Sequence, residues 1–397
     1  MLPFLRLRAW QVAAISMLAI LAWWTLAARY VYAGHWNALY CTGYAVRMPE
    51  WLTSREPLWF CPGPGGYDGQ YFHLLAHQPL EFRQLAPWLD APRLRVQRIL
   101  LPLSAWLLAF GRFDWVDPAY FFLMLVWLGA GVWWTARLAE LRRASPLWGF
   151  SFLLLPSTLS SIDRMLADGP LTAAVAGFLY GIETGRWRAA WTVAVLAPFL
   201  RETGILLPAA AGAVFLWRRR WLTAAAWMAA AVPFLLWIHS LRDLPGSLSM
   251  KWAGWFHSIT QIILFPDPYE NVPRLRHVLH AMDLISLAGF VLALACALVL
   301  LWRRRREAEN PRAFAWMSGA LFAAAALTLV HLEPRHAWDN FYSYGRVFSP
   351  VFLILLLDGL ERRRAALPLA LTLPTTARVG LYFASPALRI LRALTGL

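Results

Sequence analysis

The chain has 397 residues, 59% of them hydrophobic and 15% charged, with a mean hydropathy of +0.49. That composition excludes a soluble globular domain and describes a polytopic membrane protein. The net charge of +15, from 37 basic and 22 acidic residues, would suggest nucleic acid as a partner in a soluble protein. Here Lys251 is the only lysine and the arginines sit in short clusters between apolar runs, which is a signature of topology and argues against nucleic-acid binding.

In chain order, residues 1–8 followed by the apolar stretch 10–32 read as a retained first span, because the stretch is long and has no small-residue cleavage site. Further apolar runs fall at 118–138, 146–162, 169–185, 222–241, 281–302, 313–332 and 347–360. The run 99–110 contains Pro102 and has the length of an interfacial or re-entrant segment. Residues 187–217 form two short apolar halves around Arg201-Glu202-Thr203-Gly204, the pattern of a helical hairpin with its tip outside.

With the N-terminus cytoplasmic, this arrangement puts every Arg cluster inside, from Arg6/Arg8 through Arg137/Arg142/Arg143, Arg186/Arg188, Arg218 to Arg220 and Arg303 to Arg306 to Arg362–Arg364. A consequence not used to choose it is that Asp68, Asp163, Asp168, Glu202 and Asp339 all fall outside. The expected architecture is all-α, with about ten or eleven spans in a single transmembrane domain over 1–364. External loops are expected at 33–117, 241–280 and 332–346, and a proline-broken tail at 365–397 is either a further span or an interfacial segment. Cys41 and Cys61 share the first loop and can bridge if it faces an oxidising compartment; Cys296 reads as packing.

The segment Cys61-Pro-Gly-Pro-Gly-Gly-Tyr67-Asp68-Gly69-Gln70-Tyr71-Phe72-His73 delivers an Asp to a helix start. Asp68 is an N-cap on one reading and a fixed general base on the other, and the two are compatible. His73 and His77 share a helix face and with Asp68 invite a metal. The competing account is an interfacial polar face, since no HExxH pattern or further ligand cluster accompanies them.

Arg93, Arg95 and Arg98 either snorkel to headgroups or bind the phosphate of a lipid-linked substrate. Asp163 and Asp168 lie in a turn rich in polar residues, where turn chemistry and a site both fit. Arg201 and Glu202 either pair with each other or line a cavity, and the short hairpin halves favour the cavity. In 333–346, which includes Tyr344 and Arg346, aromatics mixed with Arg, Asp and Asn fit an interfacial belt or a sugar-binding surface. Trp252, Trp255, Phe256 and His257 in the second loop have the same mixed character.

Tyr67-Asp68-Gly69-Gln70-Tyr71-Phe72, Leu89-Asp90-Ala91-Pro92 and Arg95-Val96-Gln97-Arg98-Ile99-Leu100-Leu101-Pro102 resemble bacterial membrane proteins related to the GT-C glycosyltransferases. More distantly the layout resembles protein mannosyltransferases and aminoarabinose transferases. Leu166-Ala167-Asp168-Gly169-Pro170 lies where such proteins carry a second external Asp. Phe199-Leu200-Arg201-Glu202-Thr203-Gly204 resembles their hairpin tip, often written with Lys at the Arg201 position, and Tyr344-Gly345-Arg346-Val347 resembles a late-loop pattern.

The resemblance implies inverting transfer of a sugar from a polyprenyl-phosphate carrier to an acceptor glycan, lipid or protein at the outer face of the plasma (inner) membrane. Asp68 and Asp168 would be catalytic, with Asp68 the base. Tyr67, Gln70, Arg95, Arg98, Arg201, Glu202, Tyr344 and Arg346 would bind substrate. Arg98, Arg201 and Arg346 would stabilise the leaving phosphate, and Asp168 would bind sugar hydroxyls or orient an Arg. The family usually shows paired acids in the first loop, whereas here Asp68 is followed by Gly69, which speaks against a metal-dependent form; no cofactor is expected. The alternatives are a transporter or flippase with a moving hairpin, and a non-catalytic binder of lipid-linked saccharide.

Overall fold

The computed structural model describes residues 7–245, 273–304 and 341–396, with the single positions Gly319 and Phe322. Expectations for the run 313–332, for Trp252 to His257, for Asp339 and for the Tyr344 side chain lie outside the described residues.

Among the described residues the chain is all-α apart from two two-residue strands. Helix α1 (Ala9–Tyr30) leads into the first loop, where strands β1 (Thr42–Gly43) and β2 (Phe60–Cys61) pair in parallel. The loop also holds the short helices α2 (Glu50–Thr53), α3 (Gly69–His77), α4 (Phe82–Leu85), α5 (Pro92–Gln97) and α6 (Leu100–Leu108). Next come α7 (Phe113–Leu141), α8 (Pro156–Arg164), α9 (Asp168–Glu183), α10 (Trp187–Leu200), α11 (Leu206–Trp217), α12 (Trp221–Met228) and α13 (Val232–Ser240). Further on, the described residues form α14 (Arg276–Arg304), α15 (Phe341–Glu361) and α16 (Ala366–Thr395).

Among the described residues, α1, α7, the stretch Trp221–Ser240 and α14 are long and apolar enough to cross a membrane. At nine residues, α6 is too short to do so. Helices α10 and α11 form the expected hairpin, with 14 and 12 residues around a 3-10 tip at Glu202–Ile205.

Two segments differ from expectation. The run 146–162 is a 3-10 helix (Pro146–Leu154) followed by α8, because Pro156 cannot donate to a continuous helix. The 3-10 rise of ~2.0 Å per residue keeps the pair nearly as long as a single span. In the tail, Pro374 and Pro386 do not break the chain: 366–395 is one helix of 30 residues, packed on α14 and α15.

The core is centred on α9, which is buried from Asp168 through Ile182 and contacted by α7, α8, α10 and α15. Two buried ring donors tie the first loop's surroundings to the α8–α9 turn. Trp24 Nε1 donates to the Ile162 carbonyl at 2.8 Å, and the Tyr120 hydroxyl donates to the Met165 carbonyl at 3.1 Å. The α8–α9 turn is thereby fixed against α1 and α7, so a side chain projecting from it has a defined direction.

Candidate active site

The first loop presents Asp68 by close backbone packing. Cys41 and Cys61 are joined in a disulfide with Cα atoms 5.4 Å apart, closing the loop before the α3 start. Gln70 is fully buried: its Oε1 accepts from Gly43 N at 3.0 Å and its Nε2 donates to the Gly65 carbonyl at 2.8 Å. This amide therefore ties the Gly-rich turn to β1.

Gly69 permits the backbone of α3 to approach its neighbours, since a Cβ there would collide with the carbonyl oxygens of Arg164 and Tyr40. A second acidic side chain beside Asp68 is sterically excluded. Asp68 occupies the N-cap position of α3 but makes no side-chain cap bond. Its carboxylate turns away from the helix toward arginines.

Arg95 Nη1 lies 3.0 Å from Asp68 Oδ1, and Arg98 Nη1 and Arg346 Nη2 lie 3.7 and 3.1 Å from Oδ2. Arg95 is itself fixed by a two-bond fork to Asp90, Nε to Oδ1 at 2.8 Å and Nη2 to Oδ2 at 2.7 Å. Burial acts to raise the Asp68 carboxyl, but the charges of Arg95, Arg346 and Arg98 outweigh it and hold it well below the usual carboxylate range.

Asp168 is presented by the α8–α9 turn. Helix α8 ends on Met165 in the left-handed conformation. Ser161 Oγ then donates to the Leu166 carbonyl at 2.6 Å and accepts from Gly169 N at 2.8 Å. Turn chemistry is thus supplied by Ser161, and the Asp168 side chain is left to pair with Arg201 and, at 3.8 Å, with Arg346 Nη1. Asp163 pairs with Arg164 instead, at 3.0 Å.

The hairpin tip closes the arrangement. Glu202 receives a fork from Arg98, Nε to Oε2 at 2.8 Å and Nη2 to Oε1 at 2.7 Å, and a bond from Gln97 at 3.3 Å. Arg201 and Glu202 also approach each other at 3.7 Å, but their shorter contacts are to Asp168 and Arg98.

Asp68, Arg346, Asp168, Arg201, Glu202 and Arg98 therefore form a closed ring of alternating charge, with Arg95 and Asp90 attached at Asp68. Exposure within it is uneven. The side chains of Asp68 and Glu202 are 16% and 22% exposed, whereas Asp168 and Arg201 are 5% each.

Six of the residues selected from sequence meet in this ring, and Arg95 adjoins it. Tyr67 packs under the Arg164 guanidinium, 5.3 Å from its ring centroid, and Gln70 serves the turn. Arg346 sits in the second turn of α15, which begins at Phe341. Sequence reasoning missed Asp90 as the partner of Arg95, although it precedes Arg95 by five residues just before a Pro-initiated helix, and Gln97 as a partner of Glu202. It also missed Glu56 and Asp117, which stand beside His73.

An all-α membrane fold carrying paired carboxylates and arginines where a first loop, a hairpin tip and a late helix meet defines a class of membrane enzyme or carrier protein. The model of glycosyltransferase family 87 matches residues 100–331, more than half of the chain, and the chain belongs to that family of GT-C-like membrane glycosyltransferases. The matched region includes Asp168, Arg201 and Glu202 and leaves Asp68 and Arg346 on either side. No curated protein and no solved structure matches the chain.

Proposed function

We propose that this glycosyltransferase moves a sugar from a polyprenyl-phosphate donor to an acceptor hydroxyl at the extracytoplasmic face of the plasma membrane, with inversion at the anomeric carbon. The observation that carries the reading is that one guanidinium, Arg346, contacts both Asp68 and Asp168. On this reading Asp68, as base, stands next to the cations that a departing phosphate requires. The Cys41–Cys61 bridge supports an oxidising location for the first loop, and the internal Arg clusters support the same orientation.

In the reaction the acceptor oxygen bonds to C1 as the C1–O bond to phosphate breaks. The acceptor proton passes to Asp68, and the electron pair leaves on polyprenyl phosphate, whose charge is met by Arg98, Arg201 and Arg346. With its three arginines engaged, Asp68 is ionised but a weak base. Donor phosphate competes for the same guanidiniums, so its binding loosens the grip on Asp68 and raises its basicity as substrate arrives. Asp168, buried behind Arg201 and Arg346, orients them. The lipid tail of the donor stays in the hydrocarbon, which is why the site sits at helix ends.

The test is conversion of radiolabelled polyprenyl-phosphate sugars by the full-length protein in membranes, over a panel of carriers, with wild type beside Asp68→Asn. A loss of roughly 10²- to 10⁴-fold in turnover with donor binding retained is expected for removal of a general base. Equal turnover by the variant, or a bound donor left intact with every carrier, overturns the proposal.

A further inference from the structure

The face of α3 away from Asp68 carries a second cluster that the transferase reading does not use. His73 and His77 lie one turn apart on α3, and their Nε2 atoms converge on two carboxylates from distant parts of the chain. His73 Nε2 is 3.2 Å from Glu56 Oε2 and 3.3 Å from Asp117 Oδ2, and His77 Nε2 is 3.5 Å from Asp117 Oδ1. None of these contacts has hydrogen-bond geometry: the ring nitrogens of both histidines and Oε2 of Glu56 are buried without a hydrogen-bond partner. The two imidazoles are almost fully enclosed, with side-chain exposures of 0% and 2%.

We propose that Glu56, His73, His77 and Asp117 bind a structural divalent zinc ion that fixes α3 to the start of α7.

Four features of the cluster support it. All four ligand atoms lie within 4.8 Å of one another. Donors held ~2.0–2.2 Å from a tetrahedral zinc stand roughly 3.3–3.5 Å apart, close to the separations of His73 Nε2 from Glu56 and Asp117 and of His77 Nε2 from Asp117. The donor set of two imidazoles and two carboxylates suits zinc, and its four members close the coordination shell as a structural site requires. The carboxylates are also hydrogen-bonded from behind, and the imidazoles are packed by neighbouring rings. Asn37 Nδ2 donates to Glu56 Oε1, the Tyr40 hydroxyl donates to Asp117 Oδ1 at 2.9 Å, and the Tyr40 ring stacks on His73 at 4.4 Å. Phe113 covers His77 at a ring separation of 4.3 Å, which keeps water out.

The rival occupant is a proton. Burial lowers His73, but Asp117 and Glu56 outweigh it and raise the imidazole to about 10 when no metal is present.

The experiment is elemental analysis of the full-length protein purified in detergent without chelator. Chelation, reloading with Zn2+ or Co2+, and thermal unfolding of each form follow. About one zinc per chain, visible absorption bands of four-coordinate cobalt after reloading, and a melting temperature that falls on chelation and recovers with Zn2+ are expected. His73→Gln and Glu56→Gln should each lose the ion; if His73→Gln does not yield folded protein, Glu56→Gln and the wild-type metal content still decide. Asp68→Asn should retain the metal in full. Because metal content is read without any donor, this proposal can fail while the transferase reading stands, and the reverse. Folded wild type that takes up no zinc or cobalt and melts at the same temperature with and without Zn2+ overturns the site and leaves the proton as occupant.

Discussion

Asp68 and Asp168 share Arg346 yet differ in exposure, and in the proposed mechanism that difference separates their roles. Asp68→Asn should depress kcat while donor KM stays the same or falls, because phosphate no longer competes with a carboxylate for the guanidiniums, whereas Asp168→Asn should chiefly raise donor KM, because it releases the orientation of Arg201 and Arg346. Asp168→Glu should recover part of that affinity. Steady-state kinetics on both series decides, and a uniform loss of kcat alone for Asp168→Asn would count against an orienting role.

The folded-state pKa of Asp68 lies below its unfolded value of about 3.9. Its stabilisation is therefore fully present at neutral pH and shrinks as pH falls below the ordinary carboxylate value toward the depressed folded one. Melting curves of wild type and Asp68→Asn should be well separated above about pH 5 and converge in acid. Gly69→Ala adds a methyl group against two backbone carbonyls and should cost about 1–3 kcal/mol, read as a lowered melting temperature.

At the scale of elements, the disulfide and the hairpin do different work. The bridge between Cys41 and Cys61 spans 20 residues, so Cys61→Ser, or reduction, should lower stability by about 3 kcal/mol in thermal unfolding. The hairpin was legible in the sequence because two apolar halves too short to span flanked an Arg-Glu pair. The partners of that pair were not: Arg98 and Asp168 lie 104 and 33 residues away from the tip residues they bind.

Likewise the i, i+4 spacing puts His73 and His77 on one face, and proximity in sequence suggests Asp68 as their companion at a metal. The structure sends Asp68 to the arginines and supplies carboxylates from Glu56 and Asp117, pairings that no local periodicity encodes. The division of the run 146–162 was not legible for a different reason. Hydropathy reports the environment of a segment and is silent about whether a proline divides it into 3-10 and α portions.

For the whole molecule, the all-α membrane class followed from composition, and the orientation rests on arginine placement. In a background with Cys296→Ser, Ser54→Cys should react with a membrane-impermeant maleimide in intact cells, and Arg364→Cys only after permeabilisation; both side chains are exposed. Labelling with the opposite pattern would reverse the assigned faces.

The ring of charge also has a meaning in time. Asp68 and Arg346 are 278 residues apart, so during synthesis the first loop emerges, closes its disulfide and waits through most of translation for the cation that completes the ring. A nascent or truncated chain ending before Gly345 has its acid without the guanidinium that links Asp68 to Asp168. If the ring is the site of transfer, as proposed, it is completed only when insertion of the helices is nearly finished, so chain order itself delays its activity.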